Sequence, residues 1–277
     1  MNWLQSSCAL QGRMHFEEGI PCQDKTFSYY NNNTYIIALA DGASSAEYSH
    51  YGADVVVESI CKYIAESFDE LLQNSDALYV KTNIINYLIG KLEQESIKRN
   101  CEINELASTL LFAAVKDDKF FIGHIGDGVI GYLKNKDLKV ISTPQSGEYA
   151  NTTFFVTSNK ANYYLRIYRG NTNDVSGFFL MSDGSSNCLY QKKKKQFSPV
   201  IFELMQQMLL IGEAETELLL KENFEFIIEH TETGDDCSIS LMCRETKYLK
   251  PHEKTLLIEK CELFPIEVLK INNKIAY

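Results

Sequence analysis

Three aspartate–glycine pairs stand out as residues able to do chemistry: Asp41-Gly42, Asp127-Gly128 and Asp183-Gly184. With 15 glycines among 277 residues, chance puts glycine after an aspartate about one time in twenty. Each pair follows an apolar run, at 34–40, 120–125 and 177–182. Asp-Gly is a favoured turn dipeptide, so hairpin corners are one reading of all three. The context supports a second reading, because an ionised carboxylate beside a buried run is costly unless it is paired or bound to a cation. A fourth acidic site, Gly234-Asp235-Asp236, precedes the apolar run 237–243. In an antiparallel sheet the end of one strand lies beside the start of its neighbour, so four acidic strand ends can converge on one edge. Carboxylates that close repel one another until cations neutralise them. Oxygen ligands without His or Cys select hard ions, Mg²⁺ or Mn²⁺. The glycines let backbone approach such an ion, and Gly42 can add its carbonyl oxygen.

The elements that must position these residues alternate between two periods. Short apolar runs at 3–9, 26–30 and 34–40 read as strands, with Asn31-Asn32-Asn33 as a hairpin turn, since asparagine tolerates left-handed dihedrals. Val56, Ile60 and Ile64 share one face of a helix, and Ile84, Ile85, Leu88 and Leu92 one face of a second. Runs at 109–115, 120–125, 129–133 and 138–141 read as a meander of antiparallel strands. Residues 144–176 are polar, Asn-rich and aperiodic, which predicts a long surface loop or flap. A strand at 177–182, helices at 197–211 and 214–228 and a closing strand at 237–243 follow, and 258–271 adds a strand or short helix. Lys192 to Lys195 read as a solvated turn, with a docking patch as the alternative. This order is not the rhythm of a parallel sheet. It predicts an α+β fold in which antiparallel sheets stack and helices cover the outside.

Composition narrows the classes further. Apolar residues make up 45% and charged residues 23% of the chain, enough to bury a large core and too much for a disordered tract. Length alone suggests two domains, although layered folds of this size often form one. The formal charge of −10 argues against a protein that tracks a nucleic-acid backbone. No apolar stretch approaches the roughly 20 residues of a membrane span, and Met1 to Gln11 do not read as a secretory signal. The 8 cysteines include no Cys-x-x-Cys pair, so the expectation is reduced thiols in a cytoplasmic protein and no structural zinc.

Taken in order, Cys22-Gln23-Asp24, Ala40-Asp41-Gly42-Ala43-Ser44-Ser45, Ile125-Gly126-Asp127-Gly128, Met181-Ser182-Asp183-Gly184 and Gly234-Asp235-Asp236-Cys237-Ser238 resemble the metal-dependent serine/threonine protein phosphatases of type 2C, the PPM family, in its compact bacterial branch. The resemblance runs over residues 5–243. It implies a four-layer α-β-β-α sandwich, two central antiparallel sheets flanked by helix pairs, with a catalytic domain at 1–245 and a C-terminal extension at 246–277 packed on the same domain. It implies two Mg²⁺ or Mn²⁺ ions bridged by Asp41. Asp183 and Asp235 complete the first, the Gly42 carbonyl serves the second, and Asp127 with Asp183 holds a third, weaker ion. Asp24 falls at the acidic position behind the metals that orients water or the phosphate-binding group. The implied reaction is hydrolysis of phosphoserine and phosphothreonine in proteins by a metal-bridging hydroxide, without a phosphoenzyme and with the cysteines as bystanders. The implied partners are a phosphorylated protein and a cognate Ser/Thr kinase system, with neither nucleic acid nor membrane.

Three positions depart from the family pattern. Ala43 stands where many eukaryotic members carry a histidine proposed as general acid, and His50 nearby reads as structural. Gly19 stands five residues before Asp24, where members with a phosphate-clamping arginine often place it, which leaves Arg13 or His15 for phosphate contact. Gln23 replaces an acidic residue that holds water on the second metal in some members. These departures motivate an alternative, a catalytically silent phosphoprotein-binding or regulatory module on the same fold. A hydrolase for small phosphate esters is a third reading.

Overall fold

The computed structural model describes residues 2–145, 153–231 and 233–244. The first half runs β1 (Leu4–Leu10), α1 (Arg13–Glu18), β2 (Asp24–Asn31), β3 (Thr34–Asp41), α2 (Ser49–Gln73), α3 (Ala77–Arg99), β4 (Leu110–Lys116) and β5 (Lys119–Ile125). Then come β6 (Val129–Lys134), β7 (Asp137–Ser142), α4 (Ala161–Tyr164), β8 (Arg166–Asn171), β9 (Val175–Met181) and α5 (Asp183–Leu189). The last part holds β10 (Tyr190–Gln191), β11 (Gln196–Phe197), α6 (Val200–Ile211), α7 (Glu213–His230) and β12 (Cys237–Cys243). Two five-stranded sheets carry the molecule, ordered β1-β12-β9-β6-β7 and β2-β3-β4-β5-β8, and their neighbouring strands are all antiparallel.

Side-chain alternation turns these sheets into four layers. Ile36, Ala38 and Ala40 of β3 and Leu110, Phe112 and Ala114 of β4 pack against Ile60, Ile64 and Leu88 of α2 and α3. The intervening residues Ile37, Leu39, Leu111 and Ala113 face the other sheet and meet Ile130, Phe178, Leu180 and Met242. Phe179 and Met181 of β9 point the opposite way, onto Leu204, Met205, Leu220 and Phe224 of α6 and α7. The layers are therefore helix pair, sheet, sheet and helix pair, as expected. Because both faces of the central strands are buried, their sequences are continuous apolar runs rather than alternating ones.

Local signals explain the boundaries. Asn32 and Asn33 both adopt positive φ (49° and 59°), the geometry of a two-residue hairpin turn, and set the β2–β3 register. Asp76 caps α3 by accepting a hydrogen bond from the Tyr79 N–H at 3.0 Å, and Asn100 ends it in the left-handed region.

Three expectations need correction. Residues 109–141 are not one meander: β4 and β5 belong to one sheet and β6 and β7 to the other, and the chain crosses between them at Gly126-Asp127-Gly128. Residues 144–176 are not wholly a loop. The described part includes α4 and β8, and β8 pairs with β5 along six residues, Arg166 to Asn171. That strand was hidden because it lies at a sheet edge, where arginines and tyrosines replace aliphatic residues. Phe154 stacks on Tyr164 with centroids 3.7 Å apart, and Val156 and Leu165 are fully buried. Lys192 to Lys195 form the exposed turn of the β10–β11 ribbon, so α6 starts later than expected, just after Pro199. The extension at 246–277, with the element expected at 258–271, lies outside the described residues.

Candidate active site

Four strand ends bring their carboxylates to one edge of the sandwich. Asp41 ends β3, Asp127 lies in the crossing between the sheets, Asp183 follows β9 and opens α5, and Asp235 precedes β12. All four line a single cavity of about 120 Å³, with Gln23, Gly42, Ala43, Ser44, Thr109, Thr153 and Phe155 completing its wall. Of the candidate metal ligands named from sequence, Asp41, Gly42, Asp127, Asp183 and Asp235 thus come together. Asp24 stands behind them, opposite Asp41 in the β2–β3 register and 1% exposed.

The backbone fixes these positions. Thr109 clamps Asp41 from both sides: its N–H donates to the Asp41 carbonyl at 2.8 Å, and its Oγ1 accepts the Asp41 N–H at 2.9 Å. Gly42 donates to the Gln23 carbonyl at 3.2 Å, and a Cβ there would stand 2.9 Å from the Ser49 backbone, which explains glycine at this close approach. Ser238 N–H donates to Ser182 Oγ at 3.2 Å, tying the end of β9 to the start of β12. Asp127 Oδ2 accepts a hydrogen bond from Thr153 Oγ1 at 2.6 Å.

Two adjacent aspartates at the start of β12 divide the work, because successive side chains point to opposite sides of a strand. Asp235 is exposed toward the cavity, whereas Asp236 is buried and holds the N-terminal loop. Asp236 accepts the Gly12 N–H at 2.7 Å and the Gln23 N–H at 2.6 Å, and His15 Nδ1 lies 2.9 Å from it. Arg13 donates Nη2 to the carbonyls of Thr231 at 2.7 Å and Thr233 at 3.3 Å. Neither Arg13 nor His15 lines the cavity; both brace the approach to Asp235. The organising role of Asp236 was readable only as one half of an acidic doublet. Thr109 and Thr153 carried no signal, since threonine is ordinary in strands and loops.

The electrostatics follow from crowding. Burial first, then Asp24, Asp183, Asp235 and Asp127, raise the Asp41 carboxyl well above the usual range. Burial, then Asp127 and Asp235, push Asp183 up to about 6 against a hydrogen bond with Asp41. Asp24 is pushed up to about 8, mainly by burial, although the Ser238 and Ser182 hydroxyls pull it back. Asp235 is raised by the surrounding protein despite its exposed surface, against the Asp236 N–H that its Oδ1 accepts at 2.8 Å. Burial also raises the Cys22 and Cys237 thiols, which suits bystanders rather than nucleophiles.

This donor set fits divalent cations. Four carboxylates and no Lys, Arg or His side chain line the cavity among the described residues, so their charge lacks a protein counterion. Among the described residues, Asp24 Oδ2 is buried without a hydrogen-bond partner. Among the described residues no group of three or more His, Cys, Asp or Glu side chains is already placed to hold a metal ion; the fit rests on the chemistry of four carboxylates that share one cavity wall.

Comparison with known proteins agrees with this architecture. The model of the family described as protein phosphatase 2C matches residues 11–221. The chain belongs to the protein phosphatase 2C family. It is 27% identical over 187 residues to serine/threonine-protein phosphatase 3 of Escherichia coli strain K12, a match covering 64% of this chain and 73% of that one. Among solved structures, a bacterial serine phosphatase superposes with a TM-score of 0.62 at 14% identity, covering 88% of this chain and 99% of the other. The serine/threonine phosphatase Stp1 of Staphylococcus aureus gives 0.60 at 14% identity, covering 89% and 96%. These distant structures share the protein phosphatase 2C fold with this chain. Among the described residues, no helix is long and apolar enough to cross a membrane.

Proposed function

We propose that this chain is a Mg²⁺- or Mn²⁺-dependent phosphatase acting on phosphoserine and phosphothreonine in proteins. The observation that carries the reading is the gathering of Asp41, Asp127, Asp183 and Asp235 around one small cavity with no basic side chain in its wall among the described residues. Asp41, Asp183, Asp235 and the Gly42 carbonyl are the residues we assign to two ions, and Asp127 with Asp183 to a weaker third. When bound, the ions supply Lewis acidity toward water and the phosphoryl oxygens, which supports direct attack on phosphorus without a phosphoenzyme.

The chain's own residues do the positioning. Asp24, buried against Asp41, orients the polar groups behind the site. Arg13 is engaged with the Thr231 and Thr233 carbonyls and His15 with Asp236, so we move first contact with the phosphate to the neutral donors Gln23 and Ser44 in the cavity wall. Ala43 offers no proton, so the leaving serine or threonine oxygen takes its proton from water or from another group. A phosphoprotein substrate and a reciprocal Ser/Thr kinase are the partners this reading supports, in the cytoplasm, with residues 1–245 as its catalytic unit.

The test is phosphate release from phosphoserine and phosphothreonine peptides by the purified chain. Turnover with Mn²⁺ that EDTA abolishes supports the reading. Tight phosphopeptide binding without turnover in Mn²⁺ favours a silent binding module instead. Faster hydrolysis of nucleotides than of phosphopeptides points to small phosphate esters.

A further inference from the structure

The turn that carries Asp127 is held by residues the proposed reaction does not touch. His124 of β5 is fully buried. Its Nδ1 lies 2.7 Å from Ser142 Oγ and 3.0 Å from Arg166 Nη2, and its Nε2 lies 3.0 Å from the Gly126 carbonyl. A guanidinium only donates, so Nδ1 accepts, and Nε2 carries the proton that is donated to Gly126. Gln145 grips the same residue: its Oε1 accepts the Gly126 N–H at 2.9 Å, and its N–H donates to the Gly126 carbonyl at 2.9 Å. Gln145 is itself anchored, since its Nε2 donates to the Tyr164 carbonyl at 2.8 Å. Gly126 thereby keeps a φ of +124° against the Thr109 side chain. One residue on, Thr153 Oγ1 holds Asp127 Oδ2 at 2.6 Å.

Resting on the function proposed above, we propose that Thr153 is a positioning residue that aims the Asp127 carboxylate for cation binding, with Gln145 and His124 fixing the peptide beneath it. The hydroxyl occupies one carboxylate oxygen and restricts rotation of the group, so Asp127 offers its other oxygen in a set direction. Partners that orient a ligating carboxylate in this way are worth about 10- to 100-fold in metal affinity. The chemistry needed is a donor of threonine's reach, which serine retains and valine lacks.

The test is calorimetric titration of the full chain with Mn²⁺ alone, for wild type, T153V, T153S, D127A and D127A/T153V, with thermal unfolding as a check of folding. The expected result is that T153V weakens, by about tenfold or more, the binding step that D127A removes. T153S restores that step, and the double variant matches D127A. The Mn²⁺ concentration for half-activation with p-nitrophenyl phosphate rises in T153V while KM for the ester stays unchanged. A folded T153V that titrates like wild type, or effects of T153V and D127A that simply add, overturns the inference and leaves the functional reading standing. A wild type that neither binds Mn²⁺ nor hydrolyses any ester overturns both.

Discussion

A carboxylate that is raised by burial and by its neighbours is a liability to the fold until something neutralises it. Asp24, Asp41 and Asp183 all have folded-state pKa values above their ordinary 3.8. For such an acid the folded state holds its proton more tightly than the unfolded chain. Stability therefore declines as pH rises from the unfolded value through the folded one, here from about 4 to about 6 for Asp183 and to about 8 for Asp24. Protons and divalent cations compete for the oxygens of Asp41 and Asp183. The gain in Tm on replacing EDTA with Mn²⁺ should accordingly grow between pH 5 and pH 8; a gain that is flat or shrinks over that range would contradict the assignment. Gly126 gives a second test at this scale. Its φ of +124° and the Thr109 side-chain atoms 2.5 Å from where a Cβ would sit mean that Gly126→Ala should cost about 1–3 kcal/mol, read from urea unfolding. The sequence showed which residues are acidic and glycine-flanked, and these are the residues that meet. It did not show Thr109, Thr153 or the inward turn of Asp236, because hydroxyl donors leave no periodic trace and adjacent aspartates look alike until the strand direction is known.

Strands and helices were legible where their apolar pattern was marked. The runs in β3, β4, β9 and β12 and the helical stripes of α2 and α3 announced themselves because both sheets and both helix pairs demand apolar faces. Strand β8 escaped because an edge strand carrying Arg166, Tyr168 and Arg169 has little apolar signal. The division of the expected meander between two sheets escaped because a change of sheet depends on one backbone conformation, at Gly126, rather than on hydrophobic pattern. The inter-sheet layer is where packing should matter most. Phe178 is fully buried there, between Trp3 at 6.0 Å and Phe120 at 5.3 Å, centroid to centroid. Phe178→Ala should destabilise the protein by about 3–5 kcal/mol in urea unfolding while leaving the cavity residues in place, so that Mn²⁺ still raises its Tm. Loss of the metal response with the fold intact would show that the sheets do not hold the site independently of this contact.

Across the whole molecule, the two sheets serve as a frame that brings together charges lying far apart in the chain. Asp24 and Asp41 face each other across one sheet, Asp183 and Asp235 sit at neighbouring strand ends of the other, and Asp127 lies in the connection between the two. Among the described residues no Lys, Arg or His side chain lines the cavity, which leaves its charge to cations that share these oxygens. The most direct measurement is a crystal structure of the chain grown with Mn²⁺, with anomalous scattering collected at the manganese edge. Two strong anomalous peaks are expected, bounded by Asp41, Asp183, Asp235 and the Gly42 carbonyl, with a weaker third beside Asp127. An ordered cavity at saturating Mn²⁺ without an anomalous peak, its carboxylates bonded only to protein donors, would contradict this expectation.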